Sequence, residues 1–106
     1  MKAIRIHGQV LKELNHLDVF TKNKLAELFA LLASGENIGM PVSRPMPVID
    51  HGVSELRMNA KSGTYRVFYY VKVQDAILVF HFFKKKTQIM PKNEIVTAKK
   101  RLKEML

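Results

Sequence analysis

The chain has 106 residues, 47% of them hydrophobic, which is enough for one packed core and too little for two, so both a disordered tail and a second domain are excluded. It contains no cysteine, which excludes disulfides and thiolate metal sites. Its formal charge of +9 is lopsided: residues 1–53 hold six Lys/Arg against five Asp/Glu, and residues 54–106 hold twelve against four.

A surplus confined to one half is the electrostatic mark of a polyanionic partner, nucleic acid first, an anionic membrane or acidic protein less often. The near-apolar run Ala76–Phe83 contains His81 and is too short to span a bilayer. The opening MKAIRIHGQV lacks the apolar stretch of a signal peptide. The expectation is one cytoplasmic domain over 1–106, with no membrane contact.

In chain order, Ile4 and Ile6 alternate within Lys2–Ile6 and suggest a short edge strand. Val10, Leu11, Leu14 and Leu17 have helical spacing, predicting a helix over Gln9–Leu17. Asp18 or Thr21 can cap a second helix whose stripe is Leu25, Leu28, Phe29 and Leu32, with Gly35 as its stop. The two form a helical hairpin. From Glu36 to Gly52, Gly39, Pro41, Pro45 and Pro47 break any regular pattern, so this stretch reads as a loop.

Three strands follow, Ser54–Asn59, Thr64–Val73 and Ile77–Lys84, with connections short enough for antiparallel hairpins. Pro91 suits the first turn of a last helix, whose stripe is Ile95, Ala98, Leu102 and Met105 and whose other faces carry Lys99, Lys100, Arg101 and Lys103. The fold class is α+β: a helical hairpin and a basic C-terminal helix packed with an antiparallel sheet.

A four-residue turn at Ala60–Gly63 sets Arg57 opposite Arg66, Leu56 opposite Val67 and Met58 opposite Tyr65. Leu56, Met58, Tyr65, Val67, Tyr69 and Val71 then share the face that packs on helices. The two arginines fall together on the other. Like charges across a ladder cost stability, so either an anion sits between them or Glu55 or Asp75 neutralises them. The next hairpin has two registers: a two-residue turn puts His81 and Phe83 on the arginine face, and a three-residue turn puts Lys84 there with Phe80 and Phe82.

His81 titrates in the range useful for acid–base chemistry, and its place between Phe80 and Phe82 equally suits a structural histidine. His7, His16 and His51 are scattered without metal-ligand spacing. Phe68, Tyr70 and Phe82 are able to stack bases or fill core. The run Lys84, Lys85, Lys86 and the basic face of the last helix fit either phosphate contacts or ordinary solvation. With no Gly-rich phosphate loop, Ser-His-Asp set or carboxylate pair, any catalysis here works mainly with cations.

The string SELRMNAKSGTYRVFYYV, followed by ILVFHFFKKKTQIMPKNEIVTAKKRLKEML, resembles the RelE/HigB toxins, in particular their phage-derived branch. The resemblance covers residues 54–106 and rests on an E-L-R strand, a G-x-Y-R-V-F-Y strand, a strand ending in H-x-F-x-K-K-T and a P-x-x-E-I…A…R segment, in order. It implies a RelE-like fold and the toxin of a type II toxin–antitoxin system, a metal-independent endoribonuclease that cleaves mRNA on the translating ribosome. No cofactor is implied, and the partner is a cognate antitoxin, commonly of helix-turn-helix type.

Carried over by motif, Arg66 clamps the phosphate, Arg57 is second, Lys84 joins them, and His81 or a lysine is the base. Lys85, Lys86, Lys99, Lys100 and Arg101 are the RNA-binding set. Phe82 stands where such proteins commonly have a small residue, and Met90 replaces the threonine that would cap the last helix. A non-catalytic nucleic-acid-binding or protein-interaction module is the rival that the same basic surface permits.

Overall fold

The structure is a computed structural model that describes residues 1–61, 63–85 and 89–106. Strand β1 (Ala3–Ile6) leads into helices α1 (Gly8–Asn15) and α2 (Val19–Ala33). Strands β2 (Ser43–Pro45), β3 (Val53–Ala60), β4 (Gly63–Tyr70) and β5 (Ala76–Lys85) follow, and helix α3 (Lys92–Met105) comes last. The single sheet has the order β1-β5-β4-β3-β2. All pairings are antiparallel except β1 with β5, which is parallel, so the sheet is mixed rather than antiparallel throughout. Local hairpin signals are blind to this join, because β1 pairs with a strand at the other end of the sequence.

The helical hairpin forms for the reasons its sequence suggests. His7 accepts from the Gln9 amide at the start of α1. Asp18 caps α2, taking the Thr21 amide at 3.0 Å and its hydroxyl at 2.6 Å. These bonds hold the Asp18 carboxyl below its ordinary range. Gly35 ends the helix with φ +90°, a conformation that favours glycine. At α3 the N-cap falls on Pro91 itself, one residue later than the expected cap position 90, and it supplies no side-chain bond.

The stretch expected to be loop contains β2. Its proline is tolerated because the strand lies at the sheet edge, where a missing N–H costs no ladder bond. Flanking bonds, Arg57 N–H to Val42 O at 2.8 Å and Met46 N–H to Val53 O at 2.9 Å, extend the pairing beyond its three residues.

Each face of the sheet buries its own core. Leu56, Met58, Val67, Tyr69, Ile77, Val79 and Phe82 meet Val10, Leu14, Leu25 and Leu32 of the helical hairpin. On the opposite face Val53, Phe68, Leu78, Phe80 and Phe83 meet Ala98 and Leu102 of α3. Each such large side chain contributes roughly 1.5–3 kcal/mol on full burial, so both sides are anchored. Phe82 fills the first core, stacked on Tyr65 at 5.3 Å, and does not border the arginines.

The β3–β4 register is the expected one, with Arg57 opposite Arg66 and Ala60 opposite Gly63. Between β4 and β5 the register of the two-residue turn holds from Thr64 to Phe68, with His81 and Phe83 on the arginine face, and it slips by one residue nearer the turn. Phe68 pairs with His81 while Tyr69 pairs with Val79, so one extra residue bulges β5 at Phe80. The bulge lets Phe80 and His81, neighbours in sequence, both serve the α3 face.

Candidate active site

Three rungs cross the α3 side of the sheet. The first reads Arg44, Glu55, Phe68, His81; the second Arg57, Arg66, Phe83; the third Asn59, Thr64, Lys85. Helix α3 sits over the first rung at its β5 end. The other two carry Arg57, Arg66 and Lys85 and no acid, and Arg57, Thr64 and Lys85 remain half-exposed.

At the centre lies Glu55, 1% exposed. One of its oxygens, Oε1, receives Arg66 Nη1 at 2.7 Å and lies 3.5 Å from Arg57 Nε. This ion pairing is the neutralisation by Glu55 that the sequence left open, and it explains why two arginines are stable across one ladder. It is incomplete: Glu55 Oε2, Arg57 Nε and Arg66 Nε are buried without a hydrogen-bond partner among the described residues. Lys85 completes the cluster. Its pKa is lowered, by burial first and then by the charge of Arg66, with Arg57 and Arg44 adding to the effect and Glu55 opposing it.

The remaining candidates go elsewhere. Lys84 pairs with Tyr65, so strand alternation turns it to the helical-hairpin side, where its stem passes Gly63; a Cβ there would lie 2.6 Å from Lys84 Cε. Lys86 lies outside the described residues. Lys99 and Lys100 are exposed on α3, beside a cavity of about 530 Å³ lined also by Ile49, Asp50 and Leu102.

His81 is buried, with Nε2 2.7 Å from Glu94 and Nδ1 3.0 Å from Arg101 Nη1. Arginine only donates, so Nδ1 accepts and the ring proton sits on Nε2, donating to Glu94. Burial holds the His81 pKa down, the charge of Arg101 adds to this, and Glu94 opposes it. Arg101 also reaches Glu13 at 3.7 Å, and His7 meets Glu104 at 2.9 Å. His81 and Arg101 thereby fasten α3 to the sheet and to α1.

Arg44 was invisible in the sequence because it stands in the proline-rich stretch. Its one signal is that an S-R-P edge strand must pair with the E-L-R strand. Among the described residues no cluster of three or more His, Cys, Asp or Glu is placed to hold a metal ion, and no helix is long and apolar enough to cross a membrane.

Residues 12–103 match the family described as Phage derived protein Gp49-like (DUF891). The chain belongs to this Gp49-like, phage-derived family. Among curated proteins none matches it. Among solved structures it is similar to the free-state structure of E. coli toxin RelE carrying two arginine-to-alanine substitutions. That match has a TM-score of 0.54, 18% identity, and coverage of 99% of this chain and 98% of the other. The Gp49-like chain therefore has a RelE-like fold, in agreement with the expected α+β class.

Proposed function

We propose that the chain is the toxin of a type II toxin–antitoxin pair, a metal-independent endoribonuclease acting on mRNA at the translating ribosome in the cytoplasm. The observation that carries this reading is the convergence of Arg57, Arg66 and Lys85 on one half-open patch of rigid sheet. Membership in the Gp49-like family and the RelE-like fold support it.

The chemistry follows from the side chains. An RNA 2′-oxygen bonds to the adjacent phosphorus as the bond to the 5′-oxygen breaks, leaving a 2′,3′-cyclic phosphate and a 5′-hydroxyl. Charge gathers on the phosphoryl oxygens in the transition state, where preorganised guanidinium groups stabilise it. Arg66, mostly buried and fixed, is the clamp, since its planar fork holds two oxygens. Arg57 flanks it. Lys85, its pKa lowered, spends more time as the free amine and takes the 2′-hydroxyl proton; the 5′-oxygen regains a proton from water.

An antitoxin, of helix-turn-helix type in the commonest arrangement, neutralises this patch with acidic groups. The test is inducible expression in a bacterial host with 5′-end mapping of cellular mRNA, and Arg66→Ala as control. The expected result is growth arrest with new cuts inside translated messages, both absent in the mutant. Arrest without cuts would favour the rival binding module, and full toxicity of a folded Arg66→Ala protein would remove the arginine clamp.

A further inference from the structure

Among the described residues Glu55 is the one acid inside the cationic patch, and its bonding is unlike that of an ordinary structural ion pair. A carboxylate kept for stability uses both oxygens, because an unpaired buried oxygen is costly. Here Oε1 takes the Arg66 contact at 2.7 Å and the Arg57 contact at 3.5 Å, while Oε2 takes no hydrogen bond among the described residues. Among the described residues Arg66 Nε–H likewise makes no hydrogen bond, and Arg57 Nε has only its long ion contact with Glu55. Each guanidinium is thus oriented by a single point and keeps donors in reserve. A phosphoryl oxygen is the same kind of acceptor as a carboxylate oxygen, so it competes with Glu55 for those donors.

We propose that Glu55 is a positioning residue that aims Arg57 and Arg66 at the scissile phosphate and at the same time restrains how tightly that patch binds RNA. Removing its negative charge then has opposite effects on the two steps. Binding tightens, because a competitor is gone and the patch gains a unit of net positive charge. Cleavage slows, because two mutually repelling guanidinium groups lose the contact that fixes their geometry. A third consequence reaches Lys85. The groups that act on its amine are Arg66 from β4, Arg57 and Glu55 from β3, and Arg44 from β2, and Glu55 alone among them favours the charged form. Without Glu55 the Lys85 amine titrates lower still.

The cleavage arm of this inference rests on the ribonuclease reading; the binding and titration arms do not. The experiment compares the wild type, Glu55→Gln and the charge-conserving Glu55→Asp, each first shown to be folded by circular dichroism. Three quantities are read: affinity for a 2′-O-methyl RNA oligonucleotide that cannot be cut, single-turnover cleavage of mRNA on ribosomes, and NMR titration of the Lys85 amine.

For Glu55→Gln the expected result is binding about threefold tighter and cleavage at least about tenfold slower. The Lys85 titration, and with it the acidic limb of the pH–rate profile, moves to lower pH. Glu55→Asp should recover part of each. Weaker or unchanged RNA binding in folded Glu55→Gln, with Lys85 unmoved, would overturn the proposal and leave a structural ion pair only. A wild type that does not cut RNA would sink the ribonuclease reading instead, and the binding and titration arms would still decide the role of Glu55.

Discussion

Two polar clusters lie buried on the same face of the same sheet, and they are built to different standards. At His81 both ring nitrogens are bonded, one to Glu94 and one to Arg101, and Arg101 reaches on to Glu13. At Glu55 one carboxylate oxygen and two arginine Nε groups make no hydrogen bond among the described residues. A fully bonded network rigidifies what it joins, here α3, β5 and α1. An incompletely bonded one keeps capacity for something else. In the proposed reading histidine, the residue chemistry would choose first, belongs to the fastening, and the arginine pair that looks electrostatically wrong belongs to the site.

The strongest way to break this contrast is Arg66→Ala. It should lower ribosome-dependent cleavage about 100- to 1,000-fold, measured by end mapping and growth inhibition, while circular dichroism shows a retained fold. Arg66→Lys should recover little of the loss, because an ammonium lacks the planar fork. If His81→Gln were to lose as much cleavage as Arg66→Ala at equal folded fraction, the two clusters would have to exchange roles.

The next test separates neighbours on one strand. Lys85→Ala should slow cleavage by about 10- to 100-fold as a lost general base, whereas Lys84→Ala, on the opposite face, should stay within about threefold of wild type. Equal losses in single-turnover assays would mean that the alternation of β5 does not decide function.

The His81 cluster should speak through stability instead. Its pKa is lowered in the fold, so the unfolded chain binds the extra proton. The contribution is therefore whole above the ordinary histidine value and is lost as pH falls from there through the depressed folded value. Wild-type melting temperature should drop across that window, and His81→Gln should melt lower, by about 1–3 kcal/mol of stability at neutral pH, with a flatter pH dependence. A wild-type curve that is level below neutrality would contradict the neutral, doubly bonded ring.

The smallest effect is expected at Lys99 and Lys100. They stand apart from the arginine rungs, so changing both to Ala should weaken RNA affinity only a few-fold, with a slightly shallower salt dependence. A loss of cleavage without a loss of affinity would draw them into the site.

The reach of the sequence follows the range of the forces involved. The Ala60–Gly63 turn and strict alternation determine the β3–β4 register, so the facing of Arg57 and Arg66 was readable. Glu55 was readable as a neutraliser, but which of its oxygens meets an arginine is decided by side-chain geometry across strands. The bulge at Phe80 was hidden because the run from Phe80 to Phe83 is aromatic on nearly every residue and shows no period to slip. β2, and Arg44 with it, was masked by prolines whose cost vanishes at an edge. The parallel join of β1 to β5 has no local signature.

That join also orders events in time. Ala3 lies opposite Ala76, and Ile6 opposite Val79. As the chain is made from its N-terminus, β1 and the hairpin behind it wait, with their apolar face unsealed, until β5 emerges. The strands from β3 onward zip by short loops, but closing the outer edge spans most of the chain and comes at a higher entropic cost. The arginine rungs reach their final rigidity only when Lys85 and the α3 fastening arrive, so a half-made copy holds its arginines without the frame that would aim them.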